Sequence, residues 1–403
     1  TGSSCGRESA VKTTDTNVAA PAEPLSAAAH HASLTDYVSA GISNSQRLGN
    51  RGPVRYTENH QLHPEILKAY WKHGFYTFTN VIADEEIDAL RQDINVLLER
   101  APTGQHATTD AQGRPACGSE FTRPTYTFAK PLSDPWGGTT LLNGRHPTKM
   151  TEPLAASNAP DEAVYLISGM CQSMPSGLRL YGHADLLSIA AAINGEDFVP
   201  YNDAIFVKQA GLGGAVSWHQ DGVTHWQAEN WDEGIHGFNF QVQLYECTPY
   251  NCLWVMPGTH KLGKIDIKKR VADNGGSEQL PGAVPLTCAP GDVTVVNRQL
   301  LHGSFANSSS DTRISLTFGF HRRSSVLGAT GALSQSSSEV YDAQRIFDRA
   351  CVIGVAIDAR AQHYPDQRRY HYQPLEGFED SLRFNADNYE RVIKDYNLKD
   401  LSI

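Results

Sequence analysis

From residue 203 onward the chain repeats one pattern: short runs in which apolar and polar residues alternate, cut by Gly, Pro, Asn and Ser. AIFVKQ, FNFQVQLYE, CLWVM, VPLTC, DVTVVN and RISLTFGF all have this form. Alternation with period two places successive side chains on opposite faces of a strand. Several such strands, closely spaced and separated by turn residues, predict an antiparallel sandwich or jelly roll. The fold class is therefore mainly β with flanking helices.

The flanks read differently. Residues 1–55 are rich in Ala, Ser, Thr, Asn and Gly without a sustained period, which predicts a flexible or loosely draped arm. Residues 56–324 form the expected catalytic domain. It opens with HPEILKAYWKHGFYTFTNVIADEEIDALRQDINVLLER, where Pro64 suits a first helical turn and Gly74 stops the helix before a strand from Phe75 to Thr79. Asp84 is expected to cap a second helix, with Ile87, Leu90, Ile94 and Leu97 as its apolar stripe. Residues 102–165 are Gly-, Pro- and Thr-rich and suit a lid or substrate loop. A helix is expected at 185–195, and residues 325–403 as a helical extension packed on the core.

Among 403 residues, 34 are Lys or Arg and 44 are Asp or Glu, for a formal charge of −10. That balance gives no reason to expect nucleic acid or an anionic membrane surface as a partner. Seven scattered cysteines without a C-x-x-C pair make a poor disulfide framework and suit a reducing, cytoplasmic setting. No apolar run approaches the roughly 20 residues needed to span a bilayer.

The stretch KQAGLGGAVSWHQDGVTHW carries the chemistry. On a strand, His219 and Asp221 share a face and present an imidazole beside a carboxylate. LLHGSFANSSSDTRISLTFGF adds His302 as a third ligand. Two imidazoles and one carboxylate on one face of an octahedral ion leave open positions, the arrangement that iron(II) oxygenases use. FANSSSD reads as a turn, predicting a hairpin between the strands of His302 and Arg313. In TRISLTFGF, Arg313 alternates against Ile314, Leu316, Phe318 and Phe320, so it faces a polar interior. Its guanidinium fork matches the distal carboxylate of 2-oxoglutarate. Ser304 shares parity with His302 and can add a hydroxyl to the same carboxylate.

WHQD, CLWVMPGTHKLGK and HGSFANSSSDTR, with the opening GFYTFTNVIADEEIDALRQDINVLL, resemble the phytanoyl-CoA dioxygenase family of iron(II)/2-oxoglutarate oxygenases over residues 60–322. The resemblance implies a double-stranded β-helix (cupin-like) core, Fe(II) with 2-oxoglutarate as cosubstrate, and O₂. It maps His219, Asp221 and His302 as ligands, Arg313 as cosubstrate anchor and Ser304 as its helper. YNCLWVMPG lacks the glycine often found after that asparagine, which affects a turn only. Related halogenases carry a small residue at the acidic position, so Asp221 favours hydroxylation or another oxidation.

Other motifs weigh less. His183-Ala184-Asp185 and His63-Pro64-Glu65 repeat the H-x-D/E spacing at predicted helix starts, where Asp185 is expected as an N-cap. Trp226, close behind the ligand strand, is a candidate beside the cosubstrate, and so is Gln243. Asn239, Gln241 and Gln243 alternate with Phe238, Phe240, Val242 and Leu244, a pattern that more often marks a solvated face than a cavity wall. Lys208 is expected at the surface, and His225 and His260 in loops or behind the ligands. The competing readings are a His₂Asp zinc hydrolase and a catalytically silent metal-binding or sensory barrel. The substrate is expected to be a small organic or natural-product-like molecule; oligomeric state is left open.

Overall fold

The computed structural model describes residues 25–331, 339–400 and 403. Its strands are β1 (Arg51–Gly52), β2 (Phe75–Phe78), β3 (Tyr126–Ala129), β4 (Ala163–Ser168), β5 (Val199–Lys208), β6 (Val216–His219), β7 (Phe238–Gln243), β8 (Trp254–Val255), β9 (Val284–Pro285), β10 (Val293–Asn297), β11 (His302–Ser304) and β12 (Arg313–His321). They form an eight-stranded sheet in the order β1-β2-β10-β7-β12-β5-β4-β3 and a four-stranded sheet in the order β6-β11-β8-β9. All pairings are antiparallel except β1 with β2. Two open antiparallel sheets enclosing a cavity give the cupin-type jelly roll that the alternation predicts.

The alternation in β12 also decides what each face of the large sheet meets. Phe318 and Phe320 pack on Tyr181, Phe238, Phe240 and Phe198 in an aromatic layer under the helices. Arg313 and Thr317, of opposite parity, face the cavity. Helices Pro175–Tyr181, Ala184–Asn194 and Ala343–His363 contribute apolar faces to that layer. Twelve residues of Ala343–His363 are buried, so the 325–403 segment supplies part of the main core.

The predicted hairpin between His302 and Arg313 is absent. β11 pairs with β6 and β8 in the small sheet, whereas β12 pairs with β5 and β7 in the large one. The connection crosses between sheets because Asn307 anchors it to β5: its amide donates to the carbonyls of Lys208 (2.9 Å), Gln209 (3.2 Å) and Asp311 (2.8 Å).

The arm reading also needs correction where it is described; residues 1–24 lie outside the described residues. Ala27–Ser33 and Thr35–Gln46 are helices, and β1 extends the large sheet. Leu34 and Val38 are buried with Trp218 and Trp254 in the small-sheet core, and Tyr37 stacks on Trp254 at 4.5 Å. A stripe this short is hidden among Ala and Ser.

Helix starts differ in detail. Asp84 is the first residue of Asp84–Glu99 and Ala83 occupies the cap without a side-chain bond. Three acids in that first turn complement the helix dipole instead. His183 and His63 are the N-caps of their helices, accepting from Asp185 N and Glu65 N, so neither motif is a metal site and Asp185 is not the cap. Gly74 ends Pro64–His73 with φ 84°, a left-handed conformation that glycine adopts without steric cost.

Candidate metal and cosubstrate site

His219 closes β6 and His302 opens β11, and the two are direct partners in the antiparallel register. Their rings lie 4.1 Å apart between centroids. Asp221 follows just beyond β6, where its amide donates to Arg298 O at 2.7 Å. One oxygen of its carboxylate is 3.2 Å from His219 Nε2 and the other 3.5 Å from His302 Nε2. Donor atoms of the three residues lie within 4.8 Å of one another, the one such group able to hold a metal among the described residues.

The hydrogen bonds behind the rings set their tautomers. His219 Nδ1 is 2.8 Å from Ser217 O, and His302 Nδ1 is 2.7 Å from Leu300 O. A carbonyl only accepts, so each Nδ1 carries the hydrogen and each Nε2 turns a lone pair toward the centre. Backbone carbonyls in this role are the usual outer support of metal-binding imidazoles. Burial, with the neighbouring His219, pushes His302 down to about 4, which keeps its ring neutral. Burial opposes ionisation of Asp221, but electrostatic attraction outweighs it and holds the carboxyl well below its usual range, with the Arg145 guanidinium as the permanent cation beside it. Two neutral nitrogens and one carboxylate converging on one point fit a divalent first-row metal.

Two further side chains hold Asp221. Asn239 Nδ2 donates to Oδ2 at 2.9 Å. Arg145 donates to the backbone carbonyl at 2.9 Å and to Oδ1 at 3.3 Å. Arg145 comes from the 102–165 segment, after a turn in which Leu142, Asn143 and Gly144 all have positive φ (50°, 58° and 65°). Left-handed backbone at two non-glycine residues is strained, as often at functional sites. His146, fully buried, stacks between Trp136 and His219.

The triad opens on a cavity of about 400 Å³ between the sheets, lined by residues from both. Trp136, Leu166, Phe206 and Val296 give it apolar walls, while Ser304 and Arg313 line it with Asn239 and Gln241. Arg313 is buried and donates to Gln241 Oε1 at 2.9 Å, and its Nε has no hydrogen-bond partner. An unmatched, buried guanidinium edge in a cavity fits a carboxylate ligand.

Some candidates lie elsewhere. Trp226 donates to Gly222 O and packs on His236, facing a separate recess rather than this cavity. Gln243 is buried but absent from the cavity wall. Asn239 and Gln241 replace it there, so this face of β7 is an interior wall and not a solvated surface. Lys208 is buried, directly opposite Arg313 in the register, and donates to Phe305 O at 2.6 Å. His260 sits in a short turn, bonded to Trp71 O, and His225 stands in a loop with φ 67°. Arg145 carried no signal, being one loop arginine among many. The β7 amides did carry one: their parity.

A His-Asp-His face above a buried arginine, inside a jelly roll, is the build of the iron(II)/2-oxoglutarate-dependent dioxygenases. The model of one family within that class, phytanoyl-CoA dioxygenase (PhyH), matches residues 70–315, more than half of the chain, and the chain belongs to that family. It is 32% identical over 117 residues to phytanoyl-CoA dioxygenase 1 of Oryza sativa subsp. japonica, covering 27% of this chain and 40% of that protein. To ectoine dioxygenase of Halomonas elongata it is 24% identical over 282 residues, 64% of this chain and 69% of that protein. The chain thus spans less than half of the rice relative. Among solved structures, the carbocyclase SnoK from nogalamycin biosynthesis aligns with TM-score 0.47 at 16% identity, over 72% of this chain and 95% of SnoK. EctD from S. alaskensis aligns with TM-score 0.45 at 19% identity, over 68% of this chain and 81% of EctD. No helix among the described residues is long and apolar enough to cross a membrane.

Proposed function

We propose that this protein is an Fe(II)- and 2-oxoglutarate-dependent dioxygenase that hydroxylates an unactivated C–H bond of a small, uncharged organic molecule. The observation that carries the reading is the convergence of His219, Asp221 and His302 in one cavity with an arginine whose Nε is unmatched. Bound by that triad, iron(II) with 2-oxoglutarate and O₂ supplies the oxidant for C–H cleavage, the cosubstrate leaving as succinate and CO₂. His219 and His302 offer Nε2 and Asp221 a carboxylate oxygen. Arg313, with Ser304 nearby, takes the distal carboxylate of the cosubstrate, which orients its oxo-acid end toward the triad. The apolar walls keep water from the reacting centre.

Charge matching supports an uncharged substrate. Arg145 is matched by Asp221. Asp203, also on the wall, accepts from Tyr396 Oη and from the amides of Met170 and Cys171. Arg313 is taken by the cosubstrate. A charged ligand group would enter without a partner, at a cost of several kcal/mol.

The test is 2-oxoglutarate-dependent succinate release, measured with Fe(II) across a library of uncharged oxygenated compounds, acyl-CoA thioesters and zwitterions, with product mass recorded. An uncharged compound should raise succinate release above the substrate-free rate and gain the mass of one oxygen atom. His302→Ala should release none. Wild-type succinate production by His302→Ala would remove the triad from the reaction, and turnover confined to thioesters or zwitterions would refute the substrate class.

A further inference from the structure

Two amides on one strand reach the two ends of the site. Asn239 and Gln241 lie two residues apart on β7, so their side chains share a face. Asn239 Nδ2 donates to Asp221 Oδ2 at 2.9 Å, and Gln241 Oε1 accepts from Arg313 at 2.9 Å. The partners fix which amide atom does which. A carboxylate only accepts and a guanidinium only donates, so Asn239 must present its nitrogen and Gln241 its oxygen.

We propose that Asn239 and Gln241 are positioning residues, a pair that holds the acidic metal ligand and the cosubstrate arginine at a fixed separation set by the pitch of β7. The inference rests on the oxygenase reading of the site. Two residues of strand span about 6.5–7 Å, a rigid spacing between the groups that would hold the two ends of one small dicarboxylate. β7 is well placed for this because it lies between β10 and β12 inside the large sheet, paired along both edges. Gly319, directly opposite Asn239 on β12, leaves the amide its room, since a Cβ there would run into Asn239 Oδ1 and the Phe238 carbonyl. Asn239 gives its nitrogen to Asp221 and Gln241 its oxygen to Arg313, so the contacts in the structure let each amide act through the residue it supports.

The pair predicts a double dissociation. Asn239→Ala leaves Asp221 Oδ2 without this donor and the carboxylate held by Arg145 through Oδ1 alone, whereas Arg313 keeps its partner. Gln241→Glu turns the acceptor into an anion that neutralises Arg313 and leaves Asp221 untouched. Cobalt(II) affinity, read from its visible ligand-field bands, and the KM for 2-oxoglutarate at saturating Fe(II) are measured for both variants and the wild type. Substrate-free succinate release serves as the rate where no substrate is known. Removing an outer-shell partner should weaken cobalt(II) binding about 10- to 100-fold in Asn239→Ala, with an altered spectrum. Its KM for 2-oxoglutarate should stay within about twofold of wild type. Gln241→Glu should raise that KM at least about tenfold and keep wild-type cobalt(II) affinity and bands. Gln241→Ala, which removes the acceptor without adding charge, should move the same constant in the same direction by less. Both variants shifting both constants alike, or neither moving its own, would overturn the pairing. If the wild type bound neither cobalt(II) nor 2-oxoglutarate, the oxygenase reading itself would fall, a result distinct from wild-type binding with unaffected variants.

Discussion

A buried lysine directly across from a buried arginine is a costly pair, and Lys208 opposite Arg313 is one. Burial, and then the Arg313 charge, push the Lys208 ammonium well below its ordinary 10.5. Between that lowered value and 10.5 the unfolded chain holds a proton that the folded chain resists. The stability this residue permits therefore falls as pH drops and recovers as pH rises. Lys208→Met removes the titrating group. Its melting temperature relative to wild type should be more favourable at about pH 7 than at about pH 10. Thermal melts at matched ionic strength check this, and a difference independent of pH would contradict it. Sequence reading put Lys208 at the surface because lysines seldom bury; nothing local to β5 announces the neighbouring β12. His219, His302 and Arg313 were legible as distinctive residue types on predicted strands, whereas Asp221, expected on the same strand as His219, lies past the end of β6 and comes to the same centre from the turn that follows. Choosing Gln241 over Gln243 needed the register, which sets Gln241 against Thr317 and Gln243 against Ser315. Both glutamines have the same parity, so no pattern within the strand separates them.

Elements met the same boundary between local and non-local information. The apolar stripe Ile87, Leu90, Ile94 and Leu97 was readable and is buried as expected, because helical periodicity is a local property. The path from β11 to β12 was not readable: FANSSSD is turn-like, yet whether the chain doubles back or crosses to the other sheet depends on Asn307 and β5. Element pairing through charge is equally hidden. Glu86, in the first turn of Asp84–Glu99, receives both terminal nitrogens of Arg360 from Ala343–His363, at 2.7 and 3.0 Å, with both side chains nearly inaccessible. Breaking such a pair strands a charge, so Glu86→Ala should cost roughly 3–5 kcal/mol in urea denaturation. Arg360→Met in the same background should restore much of it, because the stranded cation is then gone. A single-variant cost under about 1 kcal/mol would mean that water or Gln367 satisfies Arg360 well enough on its own.

At the scale of the whole molecule, the last part of the chain is wired to the cavity. Arg298 takes part in that wiring: it donates to the carbonyls of His236 (3.1 Å), Asp221 (3.3 Å) and Ile403 (3.4 Å), and its guanidinium lies 3.9 Å from the centre of the Tyr201 ring. Tyr396, fully buried, donates its hydroxyl to Asp203, a residue of the cavity wall. Burial raises the Asp203 carboxyl above its ordinary 3.8, and the Tyr396 hydroxyl, Arg349 and the Met170 and Cys171 amides hold that rise in check. A raised carboxyl value means that the folded state keeps a proton which the unfolded chain releases, so stability declines as pH rises from 3.8 through the folded value. Tyr396→Phe removes one of the groups restraining the rise. The folded value moves further up, and the declining window extends to higher pH. The variant should therefore lie close to wild type in acid, where Asp203 is protonated in both. It should lose roughly 1–3 kcal/mol once the carboxylate must ionise without that donor. Melts along a pH series that starts below 3.8 and runs to neutral measure the widening; a deficit that narrowed with rising pH would mean that Asp203 is not the group through which Tyr396 acts. Because Asp203 faces the cavity and Tyr396 does not, the same variant joins the stability of the Tyr396 segment to the charge of the cavity wall.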